Sequence, residues 1–232
     1  MMPETMLCMI PARAGSKRLP GKNLLPLAGK PMLAYSIEAA RAAGCDPVYV
    51  CTESEEIAHV ARRYGAEVPF LAPEELCGDL VSSHEPCQFV AEKLASQQRA
   101  GDVMLCLQPT SPLRSSEDIR AGIRRFQEGS VDFVVSVTPI DPHYFHWAVE
   151  KNANGYWHMY FGDRFMMERP LLPPMFRPNG SIKIGRLTAL RQYGHFFGPK
   201  LATIETPEER SVHVGTRADF DYCEFLITKA AQ

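Results

Sequence analysis

Short apolar runs rich in β-branched residues alternate along most of this chain with longer segments of helical periodicity. This alternation is typical of a layered α/β fold, in which helices pack on a mainly parallel sheet. The clearest strands are predicted at residues 7–10, 48–51, 103–107 and 133–137. Helices are predicted at residues 32–43, 54–64, 86–97 and 116–126, with Ser116 as a plausible N-cap.

The alternation stops between residues 139 and 178, where tryptophan, tyrosine, phenylalanine, histidine and proline residues accumulate. Residues 1–138 and 179–232 are therefore predicted to form one α/β domain with an inserted segment. A strand at 181–184 and helices at 187–192 and 219–230 resume the pattern. The insertion is either a surface excursion packed on its own domain or an arm that buries its aromatic residues against a second copy.

The composition is that of an ordinary globular protein, with 45% hydrophobic and 22% charged residues. A formal net charge of -2 argues against a surface that binds nucleic acid or anionic membranes as a whole. Any bound anion must therefore meet a local positive patch.

The cysteines and apolar runs indicate a cytoplasmic protein. The seven cysteines show neither a C-x-x-C pair nor the spacing of a disulfide framework, so buried thiols in a reducing compartment are expected. No secretory signal pattern is recognisable at the amino terminus. No apolar run approaches the roughly 20 residues needed to span a bilayer.

A basic, glycine-containing segment, IPARAGSKRLPGKNL at residues 10–24, directly follows the first predicted strand. No acidic residue occurs between Glu4 and Glu38, whereas this region contains Arg13, Lys17, Arg18, Lys22 and Lys30. Cations and exposed backbone N–H groups at the carboxyl end of a strand suit a triphosphate, and a solvated basic loop is the alternative.

Neither established phosphate-binding fingerprint is present, because the chain lacks both G-x-x-x-x-G-K-[ST] and G-x-G-x-x-G. This absence disfavours a kinase, an ATPase or a dehydrogenase. It is compatible with a nucleotide that is itself a substrate, cleaved between its α- and β-phosphates.

The basic segment and four further motifs together resemble the acylneuraminate cytidylyltransferases. The motifs are PLAGKPML at 26–33, PEELCGD at 73–79, QPTSPLR at 108–114 and FRPNGSI at 176–182. The resemblance implies a Rossmann-like nucleotidyltransferase fold with a protruding dimerisation arm at residues 139–178, and hence a homodimer. It also implies transfer of CMP from CTP to the anomeric hydroxyl of an acidic nonulosonic sugar, with release of pyrophosphate.

The resemblance implies a role for each matching residue. Nucleotide-binding residues would be Ala12, Arg13, Gly15, Ser16, Lys22, Asn23, Ser82 and Ser83, and the catalytic cations would be Arg13, Lys17 and Lys22. Sugar-binding residues would be Gln108, Arg169, Arg177, Phe196 and Phe197. Three alternatives stay open: the serines could cap a helix, the phenylalanines could be plain core, and Arg114 could complete a turn rather than touch substrate.

One departure from the family pattern concerns the metal. The family's Asp-x-Asp, which holds magnesium, corresponds here to His213 and Gly215, both poor substitutes for carboxylates. Magnesium therefore stays an open cofactor with unknown ligands. It could arrive with the triphosphate or be held by Asp219 or Asp221, which more simply begin a helix. The proton of the sugar hydroxyl could pass to water, His213 or metal-bound hydroxide.

Other departures concern specificity. Ala72 replaces an arginine of the nucleotide region, Lys183 replaces a tyrosine, and His146 replaces a lysine of the arm. A related enzyme with an altered sugar or nucleotide, and a homologue that binds nucleotide without turnover, are thus the two alternatives to the proposed activity.

Overall fold

The computed structural model describes residues 4–78, 81–82 and 84–230 and contains a six-stranded central sheet. The strands are β1 Met6–Pro11, β2 Pro26–Leu27, β3 Lys30–Pro31, β4 Val48–Cys51, β5 Val103–Cys106, β6 Phe133–Ile140, β7 Val149–Lys151, β8 Trp157–Met159, β9 Met175–Arg186 and β10 Leu201–Glu205. The helices are α1 Met32–Ala42, α2 Glu55–Arg63, α3 Glu85–Ser96, α4 Ser116–Gln127, α5 Pro142–His146, α6 Leu187–Tyr193 and α7 Arg217–Ala230.

The central sheet has the strand order β10-β6-β9-β5-β1-β4 and is mainly parallel, as predicted. Strand β1 pairs in parallel with both β4 and β5, and β10 pairs in parallel with β6. Strand β9 is antiparallel to both of its neighbours. The chain leaves β1 toward β4 on one side and returns to β5 on the other, so a crevice opens at the carboxyl end of β1.

Helices cover both faces of the sheet, because successive side chains of a strand point to opposite sides. Cys8 and Ile10 of β1 pack in a core cluster with α1, α2 and α4, whereas Leu7 and Met9 pack with α3 and α6. The side chains of these four β1 residues are all buried, so the strand that precedes the basic loop is anchored on both faces.

Of two local predictions, the N-cap of α4 is wrong by one residue and the buried thiols are confirmed. The N-cap of α4 is Ser115, not Ser116, because the Ser115 hydroxyl accepts from the Asp118 N–H while the Asp118 carboxylate accepts from the Ser115 N–H. This reciprocal capping box fixes the start of the helix one residue earlier. The predicted thiols are confirmed: none of the seven cysteines, all within the described ranges, forms a disulfide, and all except the half-buried Cys45 are buried.

The insertion lies between β6 and β9 and contains α5, the β7–β8 hairpin and two short 3-10 turns, Gly162–Met166 and Arg169–Leu171. Because β6 extends to Ile140 and β9 begins at Met175, the insertion outside the sheet is slightly shorter than predicted. Its aromatic side chains are largely exposed: Tyr144 is 85% and Trp157 65% accessible. Among the described residues, no helix is long and apolar enough to cross a membrane.

Candidate active site

Three adjoining hollows form a cleft at the carboxyl ends of β1, β4 and β5. The first is lined by Pro11, Ala12, Arg13, Lys22, Asn23, Cys51, Leu76, Cys77, Gly78, Val81, Ser82, Pro86, Gln108, Pro109, Thr110 and His213. A second shares Arg13 and Lys22 with it and adds Ser16, Lys17 and Arg18. A third shares His213 and extends to Arg177. The cleft therefore runs from a cluster of cations, past the strand ends, to an arginine.

The cations of the basic loop lie close enough to affect one another. Desolvation lowers the pKa of Lys22, and the positive charges of Arg18 and Arg13 lower it further. A site with so many positive charges is stabilised by a bound polyanion. The loop turns through Gly21, whose φ of 62° favours glycine, whereas Gly15 has no positive φ and borders open space.

Two hydrogen bonds hold the loop in place. The Ala14 N–H donates to Glu53 Oε1 at 2.7 Å, and Asn23 Nδ2 donates to the Arg13 carbonyl at 2.8 Å. Asn23 is only 4% exposed, and its Oδ1 has no partner among the described residues; the same holds for the buried Ser16 Oγ. Asn23 lines the first hollow and Ser16 the second, so a small local movement would let these oxygens hydrogen-bond a ligand there.

The remaining predicted nucleotide residues also border the first hollow where the structure describes them. Ala12 is buried at the end of β1, and its N–H donates to the Cys51 carbonyl at 2.9 Å. Ser82 lies across the hollow and its hydroxyl is 2.6 Å from His84 Nδ1. His84, rather than Ser82, is the N-cap of α3, so helix capping is not the role of Ser82. Ser83 lies outside the described residues.

Gln108 follows β5 and borders the first hollow, where the sequence places a sugar contact. A buried arginine fixes the backbone around it: Arg114 donates to the carbonyls of Gln108 and Ser181 and to the Ser36 hydroxyl at 3.3, 2.6 and 2.6 Å. Burial lowers the pKa of Arg114 to about 10, so the guanidinium stays charged at neutral pH. Arg114 thus completes the turn structurally.

The predicted sugar residues are spread over three places. Arg177 on β9 borders the third hollow, near Glu208 and Glu209. Arg169 lies in the insertion, pairs with Asp141 at 3.0 Å and does not line the three hollows of its own chain. Phe196 is packed in the core against Phe133, which is the plain-core alternative, whereas Phe197 is 46% exposed.

The described residues do not fit a magnesium ion held by protein carboxylates. His213 and Gly215 stand where the resemblance implies two aspartates. The Asp219 carboxylate accepts from the N–H groups of Gly215 and Thr216 and from the Thr216 hydroxyl, as a residue at the start of a helix does. Asp221 pairs with Arg217 at 2.8 Å. No group of three or more His, Cys, Asp or Glu side chains in the described ranges is placed to hold a metal.

Two residues of the site have no role in the sequence prediction. Arg18, named there only as one cation of the basic segment, borders the cationic hollow beside Lys17. Glu53 holds the loop backbone from the end of β4. Its position two residues after a buried strand, at the same sheet edge as the basic loop, was the available signal.

A mainly parallel α/β sheet with a cationic loop at the crevice beside β1 is an architecture suited to binding a nucleotide. A family model of cytidylyltransferases matches residues 7–173, and the chain belongs to the cytidylyltransferase family. The resemblance predicted from the motifs is thereby confirmed.

Relatives and solved structures agree with this assignment. The chain is 30% identical over 225 residues to a pseudaminic acid cytidylyltransferase of Campylobacter jejuni, covering 95% of each chain. It is 44% identical over 136 residues to the CMP-N,N'-diacetyllegionaminic acid synthase of Legionella pneumophila, covering 58% of each. CMP:2-keto-3-deoxy-manno-octonic acid synthetase, solved in complex with CTP, has the same fold, with a TM-score of 0.74 at 19% identity over 97% of this chain and 99% of that one.

Proposed function

We propose that this enzyme transfers CMP from CTP to the anomeric hydroxyl of an acidic nonulosonic sugar and releases pyrophosphate. The observation that carries the proposal is the cleft, which joins a cationic hollow under the basic loop to a second region that contains Arg177. Such a cleft offers a triphosphate a cationic site and offers a sugar carboxylate the guanidinium of Arg177, in a hollow that carboxylates also line. The relatives named for pseudaminic and legionaminic acid support this substrate class.

Each end of the cleft has a proposed task. Arg13, Lys17 and Lys22 stabilise the negative charge that develops as the bond between the α-phosphorus and the bridging oxygen breaks. Gln108 hydrogen-bonds sugar hydroxyls, and Arg177 holds the sugar carboxylate with the two parallel N–H groups of its guanidinium. Holding both substrates in line supplies much of the rate enhancement.

The test is pyrophosphate release by the purified protein with each of four nucleoside triphosphates and a panel of nonulosonic acids, with Mg²⁺ and with EDTA. Release with CTP and one acidic sugar is the expected result and names the sugar. Binding of CTP without release from any pair would contradict the proposal and favour a homologue that binds nucleotide without turnover. Release with another triphosphate would indicate altered nucleotide specificity.

Magnesium enters this proposal only as an ion that accompanies the triphosphate. The carboxylates that would hold it on the protein are replaced or engaged in hydrogen bonds, so we assign no step to a protein-held ion. Reduced thiols at all seven cysteines suit a reducing compartment, and we place the enzyme in the cytoplasm. The net charge of -2 gives no reason to propose a nucleic acid or membrane partner.

We propose that the enzyme is a homodimer in which the insertion contacts a second copy. An apolar hollow on the insertion is lined by Tyr144, Phe145, Ala148, Tyr160 and Phe161, and burying such a surface favours association. This arrangement would let Arg169 reach the partner's cleft.

Substitution of the most exposed of these aromatics tests the homodimer. We expect wild-type protein to sediment as a dimer at micromolar concentration and Tyr144→Glu to sediment as a monomer, because a carboxylate cannot be buried in that hollow. Phe225→Glu, at an exposed aromatic on α7 outside that hollow, is the control and should remain dimeric. A monomeric wild type, or equal sedimentation of both variants, would contradict the proposal.

A further inference from the structure

His213 lies in the segment that precedes α7 and contacts both parts of the cleft. Its accessible ring lines the first hollow together with Lys22 and Gln108, and it lines the third hollow together with Arg177. If the triphosphate occupies the cationic end and the sugar carboxylate meets Arg177, the reacting hydroxyl lies between them. His213 is therefore placed at the junction where the new bond forms.

The backbone of Gly180 shows how closely His213 approaches the proposed sugar contact. Gly180 has a φ of 74°, and a Cβ built on it would lie 2.8 Å from Gln108 Oε1 and 3.8 Å from His213 Nδ1. The Gln108 amide and the His213 imidazole thus flank the same small space. A side chain at residue 180 would fill that space, which glycine leaves open for a ligand.

The charges around His213 favour its neutral form. Desolvation lowers the pKa of His213 below its usual value, and the positive charges of Lys22, Arg18 and Lys183 lower it further, against the opposing effect of Asp219. The basic loop, β9 and α7 contribute these groups, and Arg177, Glu208 and Glu209 share the third hollow. At neutral pH the ring therefore has a free nitrogen that can accept a proton, and a bound triphosphate would make it more basic.

Other side chains of the cleft are less suited to take a proton. The Asp219 carboxylate lines the third hollow but not the first, and its Oδ2 accepts three hydrogen bonds. Glu208 and Glu209 likewise line only the third hollow, and Glu53 holds the loop backbone. Arginine and lysine side chains are protonated at neutral pH. Among the described residues of the first hollow, the imidazole of His213 is the group with suitable chemistry at the proposed site of bond formation.

We propose that His213 is the general base of the reaction, an inference that rests on the proposed function. The imidazole accepts the proton of the anomeric hydroxyl while the sugar oxygen forms a bond to the α-phosphorus of CTP. The bond from that phosphorus to the bridging oxygen breaks, and pyrophosphate leaves with the electron pair. The imidazolium then returns its proton to solvent. In this chain a histidine thus works where the family pattern has a carboxylate.

The experiment compares wild type, His213→Asn and His213→Ala with the surface control His59→Asn across pH 5 to 9. It uses CTP and the sugar accepted by the wild type, and it measures kcat and KM for CTP. We expect kcat of both His213 variants to fall about 100-fold or more with KM for CTP nearly unchanged, because a base contributes to the transition state. The wild type should lose activity on the acidic side as His213 is protonated, and that loss should disappear in His213→Asn. Added imidazole should partly restore His213→Ala.

Other outcomes would overturn the proposal. Nearly unchanged kcat in His213→Asn with the acidic loss retained would exclude a base role. A fall in kcat with equal loss of CTP affinity and no imidazole rescue would show that His213 only shapes the nucleotide site. A wild type inactive with every acidic sugar would overturn the proposed function and this inference together. That outcome differs from failure of the base role alone, in which the wild type is active.

Discussion

Lys22→Met should lower kcat/KM for CTP by about 100- to 1000-fold, the range found when one preorganised electrostatic contact is removed from a transition state. The same substitution should raise the thermal stability of the nucleotide-free protein by about 1–2 °C. Desolvation, Arg18 and Arg13 lower the pKa of Lys22, so its charged form is disfavoured in the folded protein without an anion. At neutral pH this cost is present in full, and it would diminish only as the pH rises through the lowered pKa.

The opposite signs of these two effects make the prediction specific. Initial rates and thermal unfolding with and without CTP would be measured for Lys22→Met and for Lys30→Met. Lys30 belongs to the same basic region, but it pairs with Glu38 and does not line the cleft, so its substitution matches the charge change. A similar loss of activity in both variants would assign the effect to net charge. A Lys22→Met protein less stable than the wild type would contradict the claim that neighbouring cations and desolvation disfavour the charged form of Lys22.

The central fold was predictable because local pattern and final structure agree there. Val48–Cys51 is a strand with the predicted bounds, since four consecutive apolar residues before a polar turn leave little alternative. Strand β10 was missed, because Leu201–Glu205 alternates weakly and depends on pairing with β6. The antiparallel direction of β9 could not be predicted from the sequence either, because it depends on how the chain returns from the insertion.

The cationic half of the cleft was predictable for a similar reason. Arg13, Lys17 and Lys22 are close in sequence and follow a strand, so their proximity is almost a local property. The other half is assembled from distant segments: Gln108, Gly180 and His213 meet only after three elements pack together. The motifs gave no measure of that convergence, and for this reason the structure, not the sequence, selects His213 among the possible proton acceptors.

The buried arginine behind the cleft shows how the site depends on the fold. Arg114 is 4% exposed and its guanidinium bridges the carbonyls of Gln108 and Ser181. The first carbonyl belongs to the residue whose side-chain amide borders the proposed sugar site, and the second belongs to the residue that follows Gly180. The guanidinium therefore fixes both walls of the proposed sugar site, although Arg114 does not line the three hollows.

Arg114→Met should lower the free energy of unfolding by about 2–4 kcal/mol, because buried acceptors that the guanidinium satisfies would lose their donor. Arg114→Lys keeps the positive charge but lacks the fork that reaches several acceptors, so it should recover only part of the loss. Arg124→Met, which removes an exposed pair with Glu117, should cost far less than Arg114→Met, because solvent screens that pair. Urea unfolding of the three variants measures these differences. Equal stability of Arg114→Met and wild type would mean that the cost of burying the charge cancels its hydrogen bonds, and the walls of the site would then be held by packing alone.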